Sequence, residues 1–306
     1  MRISLFLCLA LWLCGPATAQ STATVTQTGA DHSATTTQTN PNGDDVNAAV
    51  IQDGSGHSAT QTQTIADRFD GPVQLNATIH QQLGGNTATQ VQTFDTGLSS
   101  TTMNAEVTQQ GQSGTASQTQ AFNGTLTISD IGAVIVQESG VGNSATQQQT
   151  GAGFIVNTSL SAEITQRGLG GNVATQTQNA LSGVSNTMLQ ATIEQTGSGN
   201  VASQSQTGLA LFDAASVTGS IEQIGTGNSA TQVQVGGVNV SASVFQDGGA
   251  GGFNQSVQSQ FGEDLSSIVE QIGKMNMSTV TQTGSGHSAV VTQHGSNNTA
   301  TITQGN

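Results

Sequence analysis

The side chains that recur here with enough order to act together are carboxamides. Gln27, Gln52, Gln81, Gln109, Gln137, Gln166, Gln195, Gln223, Gln246, Gln271 and Gln293 form one series. Each has a partner 11–14 residues on: Gln38, Gln63, Gln92, Gln120, Gln149, Gln178, Gln206, Gln234, Gln260, Gln282 and Gln304. A carboxamide neither takes up a proton nor attacks a carbonyl. It carries two N–H donors and one two-lone-pair acceptor, so identical copies stacked at strand spacing can hydrogen-bond into a ladder. A lone buried amide would cost a few kcal/mol, and repetition removes that cost. On eight partner segments the ladder doubles, as in Gln61-Thr-Gln63, Gln176-Thr-Gln178 and Gln232-Val-Gln234. A turn asparagine recurs between the two series at Asn86, Asn143, Asn172, Asn200, Asn228, Asn276 and Asn298. Asn suits tight turns because it tolerates left-handed backbone and bonds locally.

Other chemistry is thinly supplied. His32, His57 and His287 read as turn residues standing where Asn otherwise sits, and His80 and His294 as outward or turn residues. They form no ligand cluster, so no metal site is expected. Glu163, Glu194, Glu222 and Glu270 recur on one outward face. A carboxylate pair for glycoside chemistry would have to come from them; their recurrence on one face reads instead as a solvated surface. Calcium-binding repeats need Asp at fixed turn positions, where this chain has Gly, Ser and Asn. No catalytic residue and no cofactor are expected.

The elements that must position the ladders are short strands. Val or Ile stands two residues before every glutamine of the first series, from Val25 and Val50 to Val291, and Ala usually stands four before. This period-two alternation turns one face inward. Gly and Asn bound the segments, giving strand–turn–strand units. No unit alone can bury its inward face, so the units must stack, with strands of successive coils pairing in register at ~4.8 Å. The fold class is therefore all-β: a β-solenoid of about eleven strand–turn–strand coils stacked in cross-β fashion, a rod roughly 50 Å long. Variation in unit length falls in the return connections, where Pro41 and Pro72 lie. Phe69, Phe94, Phe122, Phe154 and Phe212 come about once per long return, either folded over the solenoid edge or free for lateral contacts.

Composition agrees. The chain has 306 residues, 7% of them charged, 3% aromatic, with 39 Gly and no Tyr. Four Lys+Arg cannot form the basic patch that nucleic acid requires. Residues 1–19 read as a signal peptide: Arg2, an apolar run from Ile3 to Cys14, and the small-residue sequence Ala17-Thr18-Ala19. Both cysteines, Cys8 and Cys14, lie inside it, so the mature chain carries no disulfide. No later segment reads as transmembrane. Residues 20–306 form a single repeat domain, and loss of Arg2 takes the net charge one unit below −14.

The segment Gln195-Thr-Gly197-Ser-Gly199-Asn200-Val-Ala202-Ser-Gln204-Ser-Gln206 resembles the curlin repeat, the unit of bacterial curli amyloid subunits. Gln223 to Gln234 matches it position for position, and Gln52 to Gln63 matches with His57 in the Asn place. The resemblance extends over residues 21–306. It implies a secreted subunit that polymerises into extracellular fibres of the biofilm matrix. It further implies export through an outer-membrane pore, nucleation by a partner subunit, and assembly driven by the inward Gln and Asn. The units are longer than is usual in that family, the outward Tyr is missing, and no targeting segment separates the signal peptide from the first repeat. Independently, both ends of the array are expected to present unpaired strand edges of like chemistry, which favours a head-to-tail homopolymer. The competing reading is a monomeric solenoid. It rests on the Thr-x-Thr pairs at Thr35/Thr37, Thr60/Thr62, Thr175/Thr177, Thr279/Thr281 and Thr301/Thr303, a face that would bind ice or another surface.

Overall fold

A computed structural model describes residues 21–40, 45–66, 73–95, 98–124, 126–153, 155–181, 184–185, 188–208 and 216–306. The proposed signal peptide, Pro41, Pro72, Phe69, Phe154 and Phe212 lie outside them. The described chain is all strand and turn. Each coil contributes one strand to each of two sheets, and eleven strands follow one another along each sheet. The first sheet runs from Ser21–Ala30 through Ala191–Ser198 to Ser288–Ser296, and the second from Ser33–Thr39 through Val201–Gly208 to Thr299–Gly305. Neighbouring strands of successive coils are parallel and in register. Gln27 lies opposite Gln52, Gln166 opposite Gln195, and Gln206 opposite Gln234.

The inward faces of the two sheets meet in one long core. Val50, Ile79, Val107, Ile135, Ile164, Ile193, Ile221, Val244, Val269 and Val291 form one column. The small Ala59, Ala88, Ala116, Ala145, Ala174, Ala202 and Ala230 face it from the other sheet. Large against small lets the sheets approach closely, as dense interiors require. Where Ala gives way to Ser256 and Ser278, the two hydroxyls bond each other at 3.1 Å.

The described parts of the return segments include strands. In the middle coils they add a third run of parallel strands: Leu126–Asp130 pairs with the start of Leu98–Gln109 and with Ile155–Ser159. They also enclose a second core of Val46, Ile65, Leu75, Phe94, Met103, Phe122, Ile131, Leu160 and Ala180. Phe94 and Phe122 are buried there, their rings stacked 5.9 Å apart, so they serve packing and not lateral contact. The signal was present in the sequence. Six residues before each first-series glutamine from Gln52 to Gln271 stands an apolar residue, among them Leu75, Met103, Ile131, Leu160 and Leu189. All five are fully buried.

Tight stacking also fixes the turns. Gly197 has φ +122°, and a Cβ built there would lie 1.9 Å from the carbonyl oxygen of Gly225 in the next coil. Gly199 has φ +63° with nothing within 4 Å of such a Cβ. Gly197→Ala is therefore expected to cost roughly 2–4 kcal/mol, and Gly199→Ala about 1 kcal/mol from backbone preference alone. Denaturant unfolding of the two variants side by side checks the difference.

Candidate functional site

Every predicted ladder glutamine lands inward, and the amides bond from coil to coil. In the first sheet Nε2 of each glutamine donates to Oε1 of the next, from Gln27 to Gln293, at 2.7–2.9 Å. In the second sheet the series from Gln38 to Gln304 does the same at 2.8–3.2 Å. The doubled positions Gln61, Gln90, Gln118, Gln147, Gln176, Gln204, Gln232 and Gln258 make a third ladder at 2.6–3.0 Å. All three point their donors toward the C-terminal coil.

The amides also tie the sheets together. Gln166 Nε2 donates to the Ser144 carbonyl at 3.0 Å, and Gln195 Nε2 to that of Val173 at 3.1 Å, both in the opposite sheet. Gln206 Nε2 reaches back to the Gln190 carbonyl at 2.9 Å. These carboxamides bond backbone carbonyls of the facing side while they continue their own column. The third ladder stops where its chemistry changes. Below Gln61 stands Thr36, and both Gln61 Oε1 and Thr36 Oγ1 lack a partner among the described residues. Above Gln258 stands Val280, and Gln258 Nε2 turns instead to Ser267 Oγ at 2.9 Å.

The turn asparagines make a fourth column, by a geometry other than the one expected. The residue before the Asn, such as Gly85, Gly171, Gly199 or Gly227, takes the positive φ, so Asn is not the left-handed residue. Its side chain is buried instead. Oδ1 of Asn143 accepts the backbone N–H of Asn172, and the pattern repeats through Asn200, Asn228, Asn254 and Asn276 to Asn298 at 3.0–3.2 Å. Nδ2 donates to the carbonyl four residues back, as from Asn86 to Gln82 at 2.8 Å. Asn254 belongs to this column; its enlarged turn hides it from a spacing count. Gly114 interrupts the side-chain column, and its N–H still bonds Asn86 Oδ1 at 2.8 Å.

His32 and His57 occupy the same turn place in the first two coils, with ring centroids 5.1 Å apart and planes 4° from parallel. His287 does not. It lies in the return turn between Met277–Ser285 and Ser288–Ser296, where other coils place an apolar residue. His57 is buried and accepts the Asn86 N–H on Nδ1 at 3.3 Å, so Nε2 carries the proton and faces the Asp53 carbonyl at 3.1 Å. Burial lowers its pKa below the usual histidine value, His32 adds to this, and the bond to the Asp53 carbonyl opposes it. A lowered folded pKa means that stability is full above about 6.5 and is lost as pH falls through the folded value. Protection of the Asn86 amide against hydrogen exchange should fall between pH 7.5 and pH 5 in the wild type. It should stay level in His57→Asn, which restores the Asn column without a titrating ring.

The outer faces carry the charge. Glu163, Glu194, Glu222 and Glu270 lie on the first sheet, where Arg167 bonds Glu138 at 2.8 Å and Glu194 at 3.0 Å. At such exposure these pairs are worth little. No group of three His, Cys, Asp or Glu side chains converges among the described residues. On the second sheet the Thr columns face outward but are broken by Val91, Gln148, Val233 and Val257, which interrupts any lattice of hydroxyls.

The two ends of the described array match. The first coil offers Ala23, Val25, Gln27, Ala34, Thr36 and Gln38, and the last offers Ala289, Val291, Gln293, Ala300, Ile302 and Gln304. Only Thr36 against Ile302 differs, and both are β-branched. Among the described residues no donor reaches Gln27 Oε1 or Gln38 Oε1, while Gln293 Nε2 and Gln304 Nε2 donate to the Met277 and Ser288 carbonyls at 3.0 Å and have no glutamine above them.

Residues 276–305 match the family model described as Curlin associated repeat. Residues 276–305 therefore carry the curlin repeat, as the sequence resemblance implied, and Gln282 within them continues in register to Gln260 of the coil before. No curated protein matches the chain.

Proposed function

We propose that this curlin-repeat solenoid is a structural subunit of an extracellular fibre and adds to its own copies head to tail. The observation that carries the reading is the single polarity of the ladders. Donors lead toward the last coil, so a second copy can continue the Gln27–Gln293 and Gln38–Gln304 columns without a change of chemistry. Such a contact is heterologous and does not close, so it yields filaments. The Gln columns and the Asn column are the self-assembly residues in this reading. Nothing in it calls for catalysis or a cofactor. The mature chain, from residue 20, is exported after signal-peptide removal. It passes an outer-membrane pore, is nucleated by a partner subunit, and serves adhesion and the biofilm matrix. Purified residues 20–306 should bind thioflavin and give the ~4.8 Å strand-spacing reflection. Deletion of the gene should reduce Congo-red binding and biofilm. A stable, dye-negative monomer at high concentration would overturn the assignment.

A further inference from the structure

The two outer faces of the solenoid differ in charge. Glu106, Glu138, Glu163, Glu194, Glu222 and Glu270 all stand on the first sheet. On the second sheet, take the positions five, three and one before each column glutamine and one after it. None of them holds Asp, Glu, Lys, Arg or His in any of the eleven coils. Thr and Ser dominate, as in Thr60, Thr62 and Thr64 or Ser203, Ser205 and Thr207. In a chain of net charge −14 two copies can meet side by side on such rows without opposing the carboxylates of the first sheet.

From this we infer that the second sheet, whose one acidic residue is Glu263 at the end of the strand Gln255–Glu263, is a lateral interface, and that its occupant is a second copy of this chain. Two solenoids pair face to face into a double filament with both acidic faces outward. The area is sufficient. Four alternating positions span about 20 Å along a strand, and eleven coils span roughly 50 Å. The contact therefore covers about 1,000 Å² per partner, against the roughly 800 Å² of a standard interface. Flat, in-register rows of Thr and Ser interdigitate as a dry zipper.

An apolar patch sets the arrangement. Val235 lies opposite Phe261 of the next coil, with Val233 and Val257 diagonal to each other across Thr231 and Ser259; Val257 is 43% and Phe261 42% exposed. A twofold axis parallel to the rod brings this patch onto itself. A perpendicular axis would set it against the Ser and Thr of the early coils. The parallel axis also leaves both solenoids growing in one direction.

The test is the mass per unit length of wild-type fibres and of Thr177→Lys/Ser205→Lys, which sets two cations on adjacent coils of the face. Wild-type fibres should hold two chains per roughly 50 Å. The variant should hold one, with dye binding and strand-spacing reflection kept. A control, Thr192→Lys/Ser220→Lys on the acidic sheet, should retain two. A second disruptive variant, Phe261→Lys, gives the same reading if the first fails to fold. The pairing does not need end-to-end growth. If no fibre forms, sedimentation of the soluble protein still reads it, as a wild-type dimer against a variant monomer. One chain per unit length in the wild type, a wild-type monomer where no fibre forms, or two chains in folded Lys variants, overturns the interface.

Discussion

Gln166→Glu is expected to leave the protein nearly as stable as wild type at pH 4 and to destabilise it by roughly 3–5 kcal/mol at pH 7. The side chains are the same size, so packing is unchanged. What changes is one proton. Gln166 accepts from Gln137 Nε2 at 2.9 Å and donates to Gln195 Oε1 at 2.8 Å and to the Ser144 carbonyl at 3.0 Å. An ionised glutamate keeps the first contact but offers no donor. Three oxygens then converge on a fully buried point with no hydrogen among them. Protonation returns one donor, so the carboxyl's folded pKa rises above the ordinary value near 4.3. The native state then binds more protons than the unfolded state, and stability falls as pH rises from that value. Because each coil touches only its neighbours, the loss should show as faster amide exchange in the coils around Gln166 before global unfolding. Urea unfolding of variant and wild type at both pH values measures it. Equal losses at pH 4 and pH 7 would mean that shape, not the donor, makes the ladder.

The sequence shows these columns because a solenoid repeats its inward positions, and a period of two fixes which residues face in. Glutamine at fixed intervals, with Val or Ile two before, has no other economical explanation. Spacing carries less where units vary in length. The enlarged ninth turn conceals Asn254, and the look-alike segment Gly-Ser-Gly-His places His287 in the wrong turn until the strands on either side are assigned to their sheets. The apolar column from Val46 to Leu265 was legible in principle. It lies in returns of varying length, which read as loops when alternation is followed only four residues back from the glutamine. The role of the turn Asn was hidden for another reason. Beside the local bond of Nδ2, its Oδ1 accepts from a residue 22–29 positions away, in the neighbouring coil, and local turn chemistry says nothing of that.

Ile302→Asp is expected to leave the monomer folded and to slow elongation by two to three orders of magnitude. Ile302 faces inward on the last coil, above the buried Val280, and in the single chain it is only half-buried. A carboxylate there stays hydrated, and the monomer loses only part of one apolar contact, about 1 kcal/mol. In a head-to-tail joint the same carboxylate would be enclosed between Val280 and the Thr36 of the incoming copy. An uncompensated buried charge costs roughly 3–5 kcal/mol, and about 1.4 kcal/mol is a factor of ten. Lowering the pH below the carboxyl's ordinary range should restore growth, since the neutral acid is cheaper to bury. Ser288→Asp is the matched control: it adds the same charge to the same coil, at an exposed outward position of the first sheet, and should elongate at the wild-type rate. Seeded elongation followed by dye binding distinguishes the two. If Ile302→Asp grows as fast as Ser288→Asp at pH 7, the last coil does not meet the first, and the polarity of the ladders serves only the single rod.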